Sequence, residues 1–150
     1  MRTDIVLREV VEDDLPILFE HQIDPVAYGM AGFTPRDRDA FMEHWRRNIL
    51  GDPGTENRTI VCDGEVVGHV VCFERDGKRE VGYWIARKHW GRGIATEALA
   101  QFLAGVTERP LYAGVFKGNP GSIRVLEKCG FRVTSEEGDD VLLVLEGRES

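Results

Sequence analysis

The chain has 150 residues, 42% of them hydrophobic, and a formal net charge of -7, enough to fill one core but not two, so a single domain over residues 1–150 is expected. An acidic chain is a poor partner for nucleic acid, whose binding draws on clustered Lys and Arg. No apolar run approaches the roughly 20 residues that cross a bilayer, and the start MRTDIVLREVVEDDL lacks a signal-peptide layout, so no membrane partner and a cytoplasmic location are expected.

In chain order, IVLREV alternates apolar and charged residues as a half-buried strand does, and Glu12-Asp13-Asp14 opens a helix over LPILFEHQI. Asp24-Pro25 ends that helix. The segment from Val26 to Arg38 shows no period and reads as irregular, before a second helix, DAFMEHWRRNIL, with Phe41, Trp45 and Ile49 at core spacing. Three strands follow, RTIVC, EVVGHVVCFE and REVGYWIA, joined by Asp63-Gly64 and Asp76-Gly77 as two-residue hairpin turns. A helix GIATEALAQFLAGV then buries Ile94, Ala95, Ala98, Leu99, Phe102, Leu103 and Val106 and turns Glu97 and Gln101 outward. The strand LYAGVF, a short helix from about Pro120 to Cys129 ended by Gly130, a solvated acidic turn EEGDD and a strand VLLVLE complete the chain. The expected fold class is α/β, a mixed, mostly antiparallel central sheet flanked by helices, in the order β-α-α-β-β-β-α-β-α-β.

Hairpin arithmetic sets the registers. With Asp63-Gly64 as a turn, Cys62 faces Glu65; with Asp76-Gly77, Phe73 faces Glu80, Val71 faces Gly82 and His69 faces Trp84. His69, Glu80 and Trp84 therefore share one sheet face. The three cysteines form no CxxC and read as free thiols; Cys129, Cys62 and Cys72 read as packing groups rather than nucleophiles. His21, His44 and His89 have no ligand at metal spacing, so no metal is expected.

The segment RKHWGRGIAT, residues 87–96, lies between a strand and a strong helix. A helix start carries backbone N–H groups without intrahelical partners, which favour an anion such as a pyrophosphate. Gly91 and Gly93 let that backbone turn and approach closely, and Arg87, Lys88 and Arg92 add positive charge to an acidic chain. GRGIAT matches neither GxGxxG with its acidic ribose ligand nor GxxxxGK[ST].

Over nearly its whole length, and most strongly in EVGYWIARKHWGRGIATEAL and NPGSIRVLEKCGF, the sequence resembles the GNAT superfamily of acetyl-CoA-dependent N-acetyltransferases. The family's Gln/Arg-x-x-Gly-x-Gly/Ala loop is matched by Trp90, Gly91, Arg92, Gly93, Ile94 and Ala95; tryptophan in the first place resembles the subgroup of ribosomal-protein alanine N-acetyltransferases. The resemblance implies acetyl-CoA as co-substrate, its pyrophosphate on the amides of Gly91 through Thr96, and its pantetheine arm along the backbone of Trp84 and Ile85. It implies that Asn119 contacts the cofactor arm, although Asn119-Pro120 also reads as a helix cap. It implies Ser122 beside the departing thiolate, although a first-turn serine is ordinary helix chemistry. Relatives that use a tyrosine acid carry it where Leu126 stands here, so that role falls to Ser122 or water.

Amide formation from a thioester needs a group to accept the amine proton and a donor for the carbonyl oxygen, and no covalent enzyme intermediate. Glu80, directly or through water, is the expected base, with His69 as the alternative; a backbone N–H of VGYWI would polarise the carbonyl. Tyr28, Met30 and Phe33 are candidates for the acceptor pocket. The expected partner is a small-molecule amine or a peptide N-terminus, and the expected state is monomer or homodimer. A second reading is a non-catalytic acyl-CoA-binding or sensing domain, for which Leu126 in the tyrosine's place speaks.

Overall fold

The structure, a computed structural model, describes residues 4–32 and 34–147. Its strands are β1 (Ile5–Arg8), β2 (Glu56–Cys62), β3 (Glu65–Arg75), β4 (Lys78–Ile85), β5 (Leu111–Phe116), β6 (Arg132–Glu137) and β7 (Asp140–Leu145). Its helices are α1 (Leu15–Gln22), α2 (Pro25–Ala31), α3 (Arg38–His44), α4 (Ile94–Gly105) and α5 (Pro120–Lys128), and α3 runs on into a wider π turn, Trp45–Leu50. The fold is α/β with a seven-stranded sheet in the order β1-β2-β3-β4-β5-β7-β6. Every pairing is antiparallel except β4 with β5.

Both hairpin turns form as expected. Asp63 and Gly64 have φ of 51° and 83°, Asp76 and Gly77 53° and 78°, the left-handed pair that matches strand twist. The registers Cys62↔Glu65, His69↔Trp84, Val71↔Gly82 and Phe73↔Glu80 follow. Between these strands Gly68 is obligatory, since a Cβ there would lie 2.1 Å from the Trp84 carbonyl oxygen.

Two elements depart from expectation. The segment read as irregular contains α2, because Asp24-Pro25 is a start signal as well as a stop. Asp24 Oδ1 accepts from the Val26 amide at 3.0 Å, Pro25 takes the first helical position, and Gly32 at φ 70° closes the helix. The acidic turn is shorter than read: Glu136 and Glu137 belong to β6 and Asp140 to β7, around a Gly138-Asp139 tip. β6 buries none of its side chains, so its sequence RVTSEE carries no alternation to read.

Each sheet face is covered. Leu15, Leu18 and Phe19 of α1 pack with Phe41, Met42 and Trp45 against Val66 and Val71 of β3. On the other face Leu99, Phe102 and Leu103 of α4 meet Val70, Cys72, Val81, Leu111, Ala113 and Leu143, with Leu126 of α5 and Phe131. Asp14 ties the start of α1 to the sheet: it accepts from Arg8 at 2.7 and 2.8 Å, from the Val11 amide at 3.0 Å and from the Thr59 hydroxyl at 2.8 Å. Burial alone would raise its pKa, but these bonds and the Arg8 charge together hold it below the usual carboxylate range.

His69 is buried edge-on to Trp45, with ring centroids 5.1 Å apart. Burial, and secondarily the charge of His21, pushes its pKa from 6.5 down to about 3. Below pH 6.5 the unfolded chain binds a proton that the folded chain refuses, so this contribution is intact above 6.5 and is lost as pH falls toward 3. By about pH 5 the cost reaches roughly 2 kcal/mol. Urea denaturation is expected to show midpoints falling between about pH 7 and pH 5, with a shallower fall in His69→Gln; equal slopes in the two proteins would contradict the assignment.

Candidate active site at the parting of two parallel strands

Glu80↔Tyr112 is the one residue pair in register between β4 and β5. Beyond it, β4 continues through Ile85 and β5 through Phe116, the latter paired on its far side with β7. The facing edges of Val81–Ile85 and Ala113–Phe116 therefore run without strand pairing to each other, and extended backbone of this kind can accept another extended chain as an added strand.

Where β4 ends, a short 3-10 turn, Arg87–His89, leads into Trp90, whose indole N–H donates to the Ile85 carbonyl at 2.8 Å. Gly91 and Gly93 both have φ of 77°, and no heavy atom lies within 4 Å of where either would carry a Cβ. Gly93 caps α4 with no side chain to satisfy the first-turn amides of Ile94, Ala95 and Thr96. Positive partial charge, a backbone bent into the left-handed region and open space above it make a cradle that fits a diphosphate.

The basic residues of this turn divide in a way the sequence did not disclose. Arg87 Nε donates to Asp24 Oδ2 at 2.8 Å and Lys88 pairs with Glu65 at 2.7 Å. Arg92 Nη1 lies 2.9 Å from His89 Nδ1, and His89 Nε2 lies 3.2 Å from Glu65. An arginine can only donate, so the His89 Nδ1 accepts and the Nε2 proton goes to Glu65. Among the described residues Arg92 makes no ion pair, which leaves its charge available to an anion at the loop.

Glu80 and Trp84 share the α1 side of the sheet with His69, as expected. Arg75 holds the Glu80 carboxylate by two hydrogen bonds, Nε to Oε2 at 2.9 Å and Nη2 to Oε1 at 3.0 Å. The Trp84 indole N–H donates to the His21 carbonyl at 3.2 Å, fixing α1 over β4. α2 then crosses the parting: Asp24 at its start is bound to Arg87 just past β4, and Gly32 at its end packs on Phe116, the last residue of β5. Tyr28 is half-buried and Met30 exposed on this helix; Phe33 lies outside the described residues.

On the opposite side, Asn119 Oδ1 accepts from the Ser122 amide at 3.2 Å, so Asn119 is a helix cap. Leu126 is 1% exposed, a core residue. Sequence reasoning missed Tyr83, whose hydroxyl lies 2.6 Å from Ser122 Oγ across the parting. Burial pushes its pKa up to about 12, against a smaller lowering by the Ser122 hydrogen bond. Cys62 and Cys72 are buried and Cys129 half-buried, all three free and with thiol pKa values raised by burial, as suits packing.

A family model for the acetyltransferase (GNAT) domain matches residues 4–132. The chain belongs to the GNAT acetyltransferase family. An uncharacterized N-acetyltransferase, p20 of Bacillus licheniformis, is 26% identical over 143 residues, 85% of this chain and 79% of its own. YdaF of Bacillus subtilis, whose name assigns it provisionally to ribosomal N-acetylation, is 31% identical over 103 residues, 63% of this chain and 55% of its own. The fold matches that of aminoglycoside acetyltransferase AAC(6')-Ib, solved with paromomycin and acetyl-CoA, at a TM-score of 0.80 and 20% identity, covering 95% of this chain and 93% of that one. It also matches an acetyltransferase of Thermus thermophilus at a TM-score of 0.79 and 23% identity, covering 93% and 95%.

The division of charge at the loop has a measurable consequence. Arg92→Ala is expected to weaken acetyl-CoA binding about tenfold in calorimetric titration and to make it less sensitive to salt. Arg87→Ala, which removes a cation already paired with Asp24, is expected to stay within about twofold. Equal losses in the two variants would contradict the division.

Proposed function

We propose that this acetyltransferase moves an acetyl group from acetyl-CoA to a primary amine by direct attack, without a covalent enzyme intermediate. The observation that carries the reading is the parting of β4 and β5 directly before the Gly91–Thr96 cradle. A diphosphate on the cradle leaves the β4 edge that faces away from β3, at Trp84 and Ile85, in line with an extended amide arm. Trp90, Gly91, Arg92, Gly93, Ile94, Ala95 and Thr96 form the diphosphate site. When bound, acetyl-CoA supplies the activated acyl group.

Glu80 is our choice of base over His69. The double hydrogen bond from Arg75 fixes the Glu80 carboxylate, whose remaining lone pairs can still hold a water that takes the amine proton. His69 is enclosed against Trp45, and a pKa pushed to about 3 leaves it a weak base at neutral pH. Ser122 stands at the first turn of α5, placed to donate to the departing sulfur. A backbone N–H of β4 polarises the acyl oxygen, and α2 presents Tyr28 and Met30 toward the acceptor.

The relatives' names support two acceptor classes: amine-bearing small molecules, from the paromomycin complex of AAC(6')-Ib, and a ribosomal target, from the name of YdaF, for which a peptide N-terminus is the amine we expect. The test is release of free CoA, read with a thiol-reactive dye, against aminoglycosides, polyamines, amino acids and short peptides. Turnover with at least one primary amine is expected, and Glu80→Gln is expected to lower kcat/KM about 100-fold. Undiminished turnover in Glu80→Gln would remove the base assignment; no acetyl-CoA binding at all would overturn the proposed function.

A further inference from the structure

This site holds a tyrosine from β4, the strand expected to bind the cofactor arm through its backbone. The position at which relatives carry a tyrosine acid is the core residue Leu126. Tyr83, on β4, instead sends its hydroxyl across the parting to within 2.6 Å of Ser122 Oγ. We propose that Tyr83 is a positioning residue that orients the Ser122 hydroxyl, so that the serine proton points at the sulfur of the cofactor's thiol end. The inference rests on the reading that CoA binds along β4.

The direction of the hydrogen bond carries the argument. A phenol is a stronger acid than an aliphatic alcohol and its oxygen a poorer acceptor, because the ring withdraws the lone pair. In a phenol–alcohol pair the phenol therefore donates. Tyr83 O–H points to Ser122 Oγ, and the serine oxygen, having accepted, is left with its own proton to place. Burial keeps Tyr83 protonated, with a pKa of about 12, so it remains a donor throughout the neutral range. The serine is fixed from behind as well, since its amide donates to Asn119 Oδ1.

The location follows from chain order. The diphosphate cradle lies just after the end of β4, so an arm laid along the strand from Ile85 through Trp84 brings its far end toward Tyr83 and the hydroxyl pair. There the acyl carbon–sulfur bond breaks with its electron pair staying on sulfur, and the Ser122 O–H hydrogen-bonds that developing thiolate. Tyr83 neither loses nor gains a proton. The amine's proton leaves by the base.

The titratable neighbour acting on Tyr83 is Cys129, whose thiol donates to the Thr96 carbonyl at 3.7 Å and whose pKa is raised by burial. A hydroxyl aimed at sulfur favours thiolate over thiol, so it should be legible in binding alone, with no acceptor. The experiment is calorimetric titration of CoA and of acetyl-CoA, at about pH 7 and about pH 9, around an ordinary thiol pKa near 8.5.

In the wild-type protein CoA is expected to bind about tenfold more tightly at the higher pH relative to acetyl-CoA, which has no thiol to ionise. In Tyr83→Phe and in Ser122→Ala the ratio is expected to collapse to within about twofold, and the double variant to match Ser122→Ala alone. The ratio is taken against acetyl-CoA in the same variant, so a general loss of affinity and the fall of a few degrees in thermal midpoint expected when one buried hydrogen bond is lost cancel from it, which separates orientation from a merely structural role. A Tyr83→Phe protein that keeps the wild-type pH dependence, or additive losses in the double variant, would overturn the inference while leaving CoA binding established. Failure of the wild type to bind either compound would overturn the functional reading beneath it.

Discussion

Two parallel strands that share a single paired position set the terms for the rest of the molecule. Parallel pairs in a sheet usually run on in register, because each unpaired peptide group that is removed from water costs free energy. Here β4 and β5 meet at Glu80↔Tyr112 and then go separate ways, each secured on its outer side, β4 by β3 and β5 by β7. The opening is tolerable because the sheet is held elsewhere: two helical layers bury its faces, and five further strand pairings flank it. The Glu80 position lies at the closed end, the glycine cradle at the open end. A bound chain that hydrogen-bonds the exposed backbone would complete what the protein leaves unfinished.

Much of this was legible beforehand, for identifiable reasons. Two Asp-Gly turns fix strand register to the residue, which is why the sequence alone places His69, Glu80 and Trp84 on one face. The apolar stripe of α4 and the Gly91–Gly93 spacing likewise gave the helix start and its bent approach. What escaped has physical reasons too. α2 was hidden because aspartate-proline both stops one helix and starts the next, and β6 because a strand without buried side chains leaves no periodic trace.

The site itself was only half legible. Backbone features followed from local pattern, but side-chain partners depended on contacts far apart in sequence. Arg87 and Lys88 looked like anion ligands and are bound to Asp24 and Glu65, leaving the Arg92 charge without a carboxylate among the described residues. His69 looked like a base and is enclosed against an aromatic edge. Tyr83 sits in the most informative stretch of the sequence, yet its hydroxyl is defined by a serine 39 positions away. Only the tertiary fold could pair them.

The helix α2 is fastened at both ends to the strands that separate beneath it, through Asp24 to Arg87 and through Gly32 to Phe116. A helix turns by about 100° per residue, so a single insertion or deletion between these anchors would swing every following side chain to a new bearing and misplace the closing glycine. Replacement of the exposed side chains between them, Val26 and Met30, disturbs neither anchor. Along this stretch the fold therefore tolerates a change of exposed side chain better than a change of length. On the proposed function, selectivity for the acceptor would be open to change by substitution over a span whose length the two anchors fix.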